Sequence, residues 1–265
     1  YGVLFQSGTL KGEYLLRSAF PDQFDVNGSV IIDQIQIIPM NYEADSIRVD
    51  VSIKGQVNGR LEVAAPFMVE RKGIFSKASI EGDVLLKGKG IEFDLEVKGG
   101  PVVAEDLGGF FALGSLRAEE GAGVASRVTQ EMSFWSGKSG EVRFDLKQVS
   151  IEGISAIPDI AGVLSVSDEE VILHDLELSY KEDRLSAQAT LAFVSYERFP
   201  YVLNGEVDIF RLHAEDWLVD SPGEEKAVLE GVFSVKGSFK SIATDTAFVA
   251  EGMQGKLMLK GNSGF

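Results

Sequence analysis

Ile91-Glu92-Phe93-Asp94-Leu95-Glu96-Val97-Lys98 alternates apolar and charged residues without exception. Successive side chains on a β-strand point to opposite faces, so this run has one oily face and one charged face. The preceding Ile80-Glu81-Gly82-Asp83-Val84-Leu85-Leu86 reads as its partner strand. Between them, Lys87-Gly88-Lys89-Gly90 reads as a hairpin turn, because glycine accepts the positive φ that tight turns require. The same unit recurs along the chain. Ile47, Val49, Val51 and Ile53 alternate with Arg48, Asp50, Ser52 and Lys54, and Val142, Phe144 and Leu146 alternate with Arg143, Asp145 and Lys147.

From Gly162 onward, strands are expected at Gly162–Val166, Val171–Tyr180, Leu185–Val194, Tyr201–Phe210, Leu229–Phe239, Ala247–Gly252 and Gly255–Lys260. That spacing of roughly ten residues marks an all-β chain. The strand at Val142 is expected to run on through Val149 and Ile151. Residues 101–132 differ: Pro101 suits a first helical turn, and Val102, Val103, Leu107, Phe110, Phe111 and Leu113 stand near helical spacing. Leu212 to Leu218 reads as one further short helical turn. The expected fold is therefore all-β and mostly antiparallel, an elongated, strongly curved sheet or β-groove with a short helical insertion around 101–132. The parts before and after residue 150 are expected to share one continuous sheet, because no linker composition separates them.

The chain has 265 residues, 45% hydrophobic and 25% charged, enough for a substantial folded core. A net charge of −16 argues against nucleic acid as a partner, since phosphate would be repelled. The absence of cysteine excludes disulfides and thiolate metal sites. No apolar run has the length of a membrane helix, and the chain reads as a piece of a longer protein.

No nucleophile elbow, phosphate loop or zinc signature is present, and no enzymatic activity is expected. Glu92, Asp94 and Glu96 could be imagined as glycosidase carboxylates, but charges this regular are the wet side of a sheet. His174 and His213 are the only histidines. His213 lies beside Glu215 and Asp216, yet one imidazole and two adjacent carboxylates make a poor metal shell, and neither metal nor cofactor is expected. Asp168-Glu169-Glu170 and Glu224-Glu225 read as solvated turns. Trp135 and Trp217 read as buried structural residues.

The succession Gly162-Val163-Leu164-Ser165-Val166, Val171-Ile172-Leu173-His174-Asp175-Leu176-Glu177-Leu178, Leu185-Ser186-Ala187-Gln188-Ala189, Pro200-Tyr201-Val202-Leu203-Asn204-Gly205, Asp216-Trp217-Leu218 and Leu229-Glu230-Gly231-Val232-Phe233 resembles the C-terminal region of AsmA-like proteins. Those are bacterial relatives of the bridge-type lipid transfer proteins, and the resemblance spans residues 162–261. It implies a non-enzymatic module in the periplasm whose apolar sheet face holds phospholipid acyl chains and contributes to phospholipid transport between inner and outer membranes. It also implies partners among envelope proteins and attachment to the inner membrane through parts of the parent protein outside this chain. The lining expected on that reading is Val49, Val51, Ile53, Phe93, Leu95, Val97, Phe144, Leu146, Leu176, Leu178, Val207 and Ile209, with Leu95 and Leu178 as mid-strand test positions. The competing expectation is a structural or protein-interaction β-module whose apolar face is an ordinary buried core.

Overall fold

The structure is a computed structural model. It describes residues 9–20, 23–37, 42–56, 59–88, 90–107, 133, 135–195, 197, 200–217, 227–239, 248–255 and 258–261. The first meander contains β1 (Thr9–Phe20), β2 (Gln23–Ile37), β3 (Tyr42–Gln56), β4 (Arg60–Arg71), β5 (Ile74–Lys87) and β6 (Gly90–Gly99). An insert follows, with β7 (Val102–Val103) and a helical turn α1 at 104–107. The chain returns as β8 (Lys138–Leu146) and β9 (Val149–Ser150). A second meander then runs through β10 (Asp159–Val166), β11 (Glu170–Tyr180), β12 (Asp183–Phe193), β13 (Tyr201–His213), α2 (Ala214–Trp217), β14 (Ala227–Phe239), β15 (Phe248–Gly255) and β16 (Met258–Gly261).

Thirteen strands follow one another in a single open sheet, β1-β2-β3-β4-β5-β6-β8-β10-β11-β12-β13-β14-β15, and β16 pairs with β14. Neighbours are antiparallel except β6 and β8, which are parallel. A parallel pair cannot be joined by a hairpin, and residues 100–137 supply the crossover. The large sheet joins strands from before and after residue 150 through the β8–β10 pair. β7 and β9 form a separate parallel pair.

The helical expectation at 101–132 is met only at 104–107; Val102 and Val103 are strand, and 108–132 lie outside the described residues. The expected continuation of β8 through Val149 and Ile151 is also corrected. β8 ends at Leu146, Gln148 takes a left-handed φ of 53°, and Val149–Ser150 leave the large sheet for β7. β4 runs through both Leu61 and Phe67, and Pro66 does not interrupt it. The last strand, β16, falls back on β14 rather than extending the sheet beyond β15.

Packing is concentrated at one end of the strands. Ile35, Ile47, Phe67, Val69, Val97 and Leu146 are buried there beneath Val102 and Val149, with Leu107 packed alongside. The pin is Asp106, fully buried on α1. Its carboxylate accepts hydrogen bonds from the Tyr42 hydroxyl at 3.2 Å and from Ser76 Oγ, and it pairs with Arg71 Nε at 3.4 Å. Ser76 Oγ in turn accepts from the Val103 amide at 2.9 Å. Burial, reinforced by the Asp106 charge and hydrogen bond, pushes the Tyr42 hydroxyl well above its ordinary range. A buried ion is tolerated only with such partners, and removing one leaves the others uncompensated.

Gly82 shows why the strands can approach so closely. Its φ is 144°, and a Cβ there would collide with the Asp94 carbonyl on β6.

Asp106→Ala is expected to lower stability by about 3–5 kcal/mol, because it strips the buried Tyr42 hydroxyl and Ser76 Oγ of their acceptor and takes one of two carboxylate partners from Arg71. Asp94→Ala, which removes only the exposed Arg143 pair, is expected to cost less than about 1 kcal/mol. Chemical denaturation of both variants, followed by circular dichroism, checks the contrast.

Candidate functional site

Register carries one apolar face across the whole sheet. Val49, Phe67, Ala78, Gly99, Leu146, Ile160, Leu178, Leu185 and Ile209 stand in one cross-strand row. Ile53, Val63, Gly82, Leu95, Val142, Leu164, Leu173, Ala189, Gly205 and Val235 stand in another. The opposite face is charged: Lys54, Glu62, Asp83, Asp94 and Glu141 form a row there.

Keeping this face apolar across β11 requires a bulge. Leu173 and Leu176 are three residues apart, an odd spacing that would put them on opposite faces of a regular strand. The register shifts between them, and Asp175 takes a φ of 46°. His174 and Asp175 stay exposed while Leu176 returns to the apolar side. Ile209 and Leu212 have the same spacing and the same solution, with Phe210 thrown outward at 73% exposure. These bulges also increase local twist.

The residues expected as lining all belong to this apolar face, but their surroundings divide them. Val97 and Leu146 are enclosed in the main core, and Val49 and Phe144 pack against it. Leu178 and Ile209 pack against a second cluster formed by Ala156, Leu212 and Trp217. Val51, Ile53, Phe93, Leu95, Leu176 and Val207 are half-buried and belong to neither cluster. No second sheet covers them among the described residues. Val63, Val84, Val142, Leu164, Leu173 and Leu203, which were not among the expected lining residues, line the same region. Alternation alone places Val142 there beside Phe144 and Leu146, and the register between strands places the others.

The two clusters wall off the same end of the face. Over β12 and β13 the far end is closed as well: Trp135, 1% exposed, packs on Tyr201 at a centroid distance of 5.7 Å, and Tyr201 meets Phe193 at 5.2 Å. At the β5–β6 hairpin the face runs out openly, with Leu86 and Ile91 paired and exposed.

Asp183 organises the second cluster. It is 1% exposed, and Oδ2 accepts from the His213 amide at 3.0 Å and from Trp217 Nε1 at 2.7 Å. His213 Nδ1 donates to Oδ1. Burial alone would raise the Asp183 pKa, but these hydrogen bonds and the imidazole outweigh it and hold the carboxyl below its ordinary value. Asp183, His213 and Asp216 bring possible ligand atoms within 4.8 Å of one another. Yet both Asp183 oxygens already accept N–H bonds, and Asp216 is paired with Lys181 at 2.7 Å. The arrangement is a hydrogen-bonded lock that seats α2 on the sheet.

The carboxylates on β6 are engaged in exposed pairs, Glu92 with Lys87, Asp94 with Arg143 and Glu96 with Lys98. Of the acidic turns, Asp168 caps the Gly137 amide at 2.9 Å, and Glu224-Glu225 lie outside the described residues. Among the described residues no helix is long and apolar enough to cross a membrane.

Because Asp183 is depressed in the folded state, the stability it confers is fully present above the unfolded carboxylate value near about 3.9. It is lost as pH falls through the lower folded value. Asp183→Asn is expected to cost about 2–4 kcal/mol at neutral pH. It is also expected to flatten the acid limb of a stability-versus-pH curve measured by thermal melting.

No family model, no curated protein and no solved structure matches this chain.

Proposed function

We propose that this chain is a non-enzymatic lipid-binding module whose apolar sheet face holds acyl chains. The observation that carries this reading is the half-exposed apolar face over the middle of the sheet, with no second layer on it among the described residues. An apolar surface of that extent is either an interface or a ligand surface. Acyl chains suit it chemically, because each buried methylene contributes about 0.8 kcal/mol without any specific side-chain partner. The resemblance of residues 162–261 to AsmA-like proteins supports a periplasmic setting and a part in phospholipid transport between two membranes. It also supports a membrane anchor and envelope-protein partners supplied by the parent protein.

The walled end gives the rival reading its footing, since Val97, Leu146 and Trp217 are ordinary core residues. The division between enclosed and open positions turns this into a test. Leu178 packs against the second cluster, so it reports on the core; Leu95 and Val207 are the informative open positions.

Leu95→Asp and Val207→Asp are expected to fold and to lose co-purifying phospholipid, measured by mass spectrometry of an organic extract. Leu146→Asp is expected to unfold the protein, because an unpaired charge there costs several kcal/mol. If the open-position variants also fail to fold, the face is a closed core and the lipid-holding reading is wrong.

A further inference from the structure

We infer that the outer edge of β1 is an interface, and that it takes the β1 of a second copy of this chain, antiparallel, with Leu15 on the two-fold axis. The inference is independent of the acyl-holding reading. Among the described residues β1 has a strand on one side only, β2. An unpaired edge offers its backbone donors and acceptors to another chain, and proteins blunt such edges with short strands, prolines or bulges. The other edge of the sheet is divided in that way between β15, of 8 residues, and β16, of 4, both on β14. β1 has 12 residues, no proline, and unbroken pairing with β2 from Thr9 to Ser18.

The two faces of β1 continue those of the sheet. Leu16 stands opposite Val26, which extends the apolar row through Ile53 and Val63. Lys11, Glu13, Leu15 and Arg17 therefore share the charged side. Leu15 breaks the pattern there, an apolar side chain 51% exposed in the middle of a charged row. Glu13 and Arg17 flank it, both exposed and neither in an ion pair among the described residues, whereas Lys11 is paired with Asp33.

Hydrogen bonding restricts how β1 can pair with itself. Its backbone groups point outward at every second residue, and in an antiparallel pair an outward residue must face an outward residue. Every register that satisfies this also sets apolar face beside apolar face. Centring on Leu15 places Glu13 against the partner's Arg17 on both sides of the axis, and covers Leu15 with the partner's Leu15. Centring on Tyr14 would set Lys11 against the partner's Arg17. Centring on Glu13 would set two carboxylates together, and centring on Leu16 would face Arg17 with the partner's Leu15. Centring on Gly12 would pair Glu13 with the partner's Lys11, which Asp33 already holds. Opposite charges that are otherwise free meet in the Leu15 register, and the two apolar faces join across the seam as one surface.

The test is sedimentation velocity of the full chain across a concentration series, where a dimer is expected. Glu13→Arg puts like charges together twice and is expected to weaken the dimer about tenfold or more. Combining it with Arg17→Glu is expected to restore the affinity to within about threefold. The chain has no cysteine, so Leu15→Cys reads the register directly. Facing residues have Cα atoms about 4.5–5.5 Å apart, inside the span of about 4.4–6.8 Å that a disulfide bridges. Leu15→Cys is expected to cross-link under mild oxidation. Glu13→Cys is not, because its two copies stand about 13 Å apart along the seam. A chain that stays monomeric, as it would if another segment of a longer protein covered this edge, overturns the inference. A dimer that Glu13→Arg leaves intact, or that the double variant does not restore, overturns the register, as does a dimer in which Leu15→Cys fails to cross-link.

Discussion

Among the described residues, one large sheet has an apolar face that only the small β7–β9 pair and two helical turns cover, and the rest of this structure follows from how that hydrophobic requirement is met. At one end of the strands the chain meets it internally, by folding β7, α1, β9 and α2 over the face. Over the middle it does not, among the described residues. Sandwiches answer the same problem with a second sheet and barrels by closure. Here the strand order begins at β1 and ends at β15 without closing.

The two covered regions are held by the same device. Each is a very short helical turn, too short to be stable by its own hydrogen bonds, fastened by a buried carboxylate with several donors. Asp106 belongs to the turn and reaches into the sheet, where Tyr42, Ser76 and Arg71 receive it. Asp183 belongs to the sheet and holds both sides of the turn, accepting from His213 at the end of β13 and from Trp217 on α2. Apolar packing alone would let these small caps slide over a smooth surface. A buried ion with fixed partners gives each one position, in keeping with the role of buried polar groups in selecting a unique arrangement.

The strands of the large sheet, unlike β7 and β9, were legible largely from alternation, because a half-buried strand writes its two faces into every second residue. The paired runs around Ile80 and Ile91, and all the strands of the second meander, could be read this way. The turn before Trp217 was legible because its sequence breaks the two-residue period between two strands that keep it. What alternation could not carry was anything depending on the neighbour. The end of β8 at Leu146 is set by the β7–β9 pairing, so the apolar Val149 and Ile151 looked like more of the same strand. The distinction between open Leu95 and enclosed Val97, two residues apart on one face, comes from α1 and β7 above them. Asp183 carries no local mark of its role, since its partners lie thirty and more residues away on β13 and α2. One local signal was available: apolar residues three apart, as at Leu173 and Leu176, announce a bulge if both must face the same way.

The parallel junction has a kinetic consequence. Everywhere else in the large sheet a strand pairs with its sequence neighbours or nearly so, and hairpins of that kind close within microseconds. The β6–β8 ladder instead joins Ile91 to Lys138 across the whole insert, and the loop entropy for that closure falls due before any of its contacts reward it. The two meanders are thus expected to form before the β6–β8 seam. The long closure across the insert makes the two meanders the expected cooperative units when the native state opens, a partition that amide hydrogen exchange reads directly.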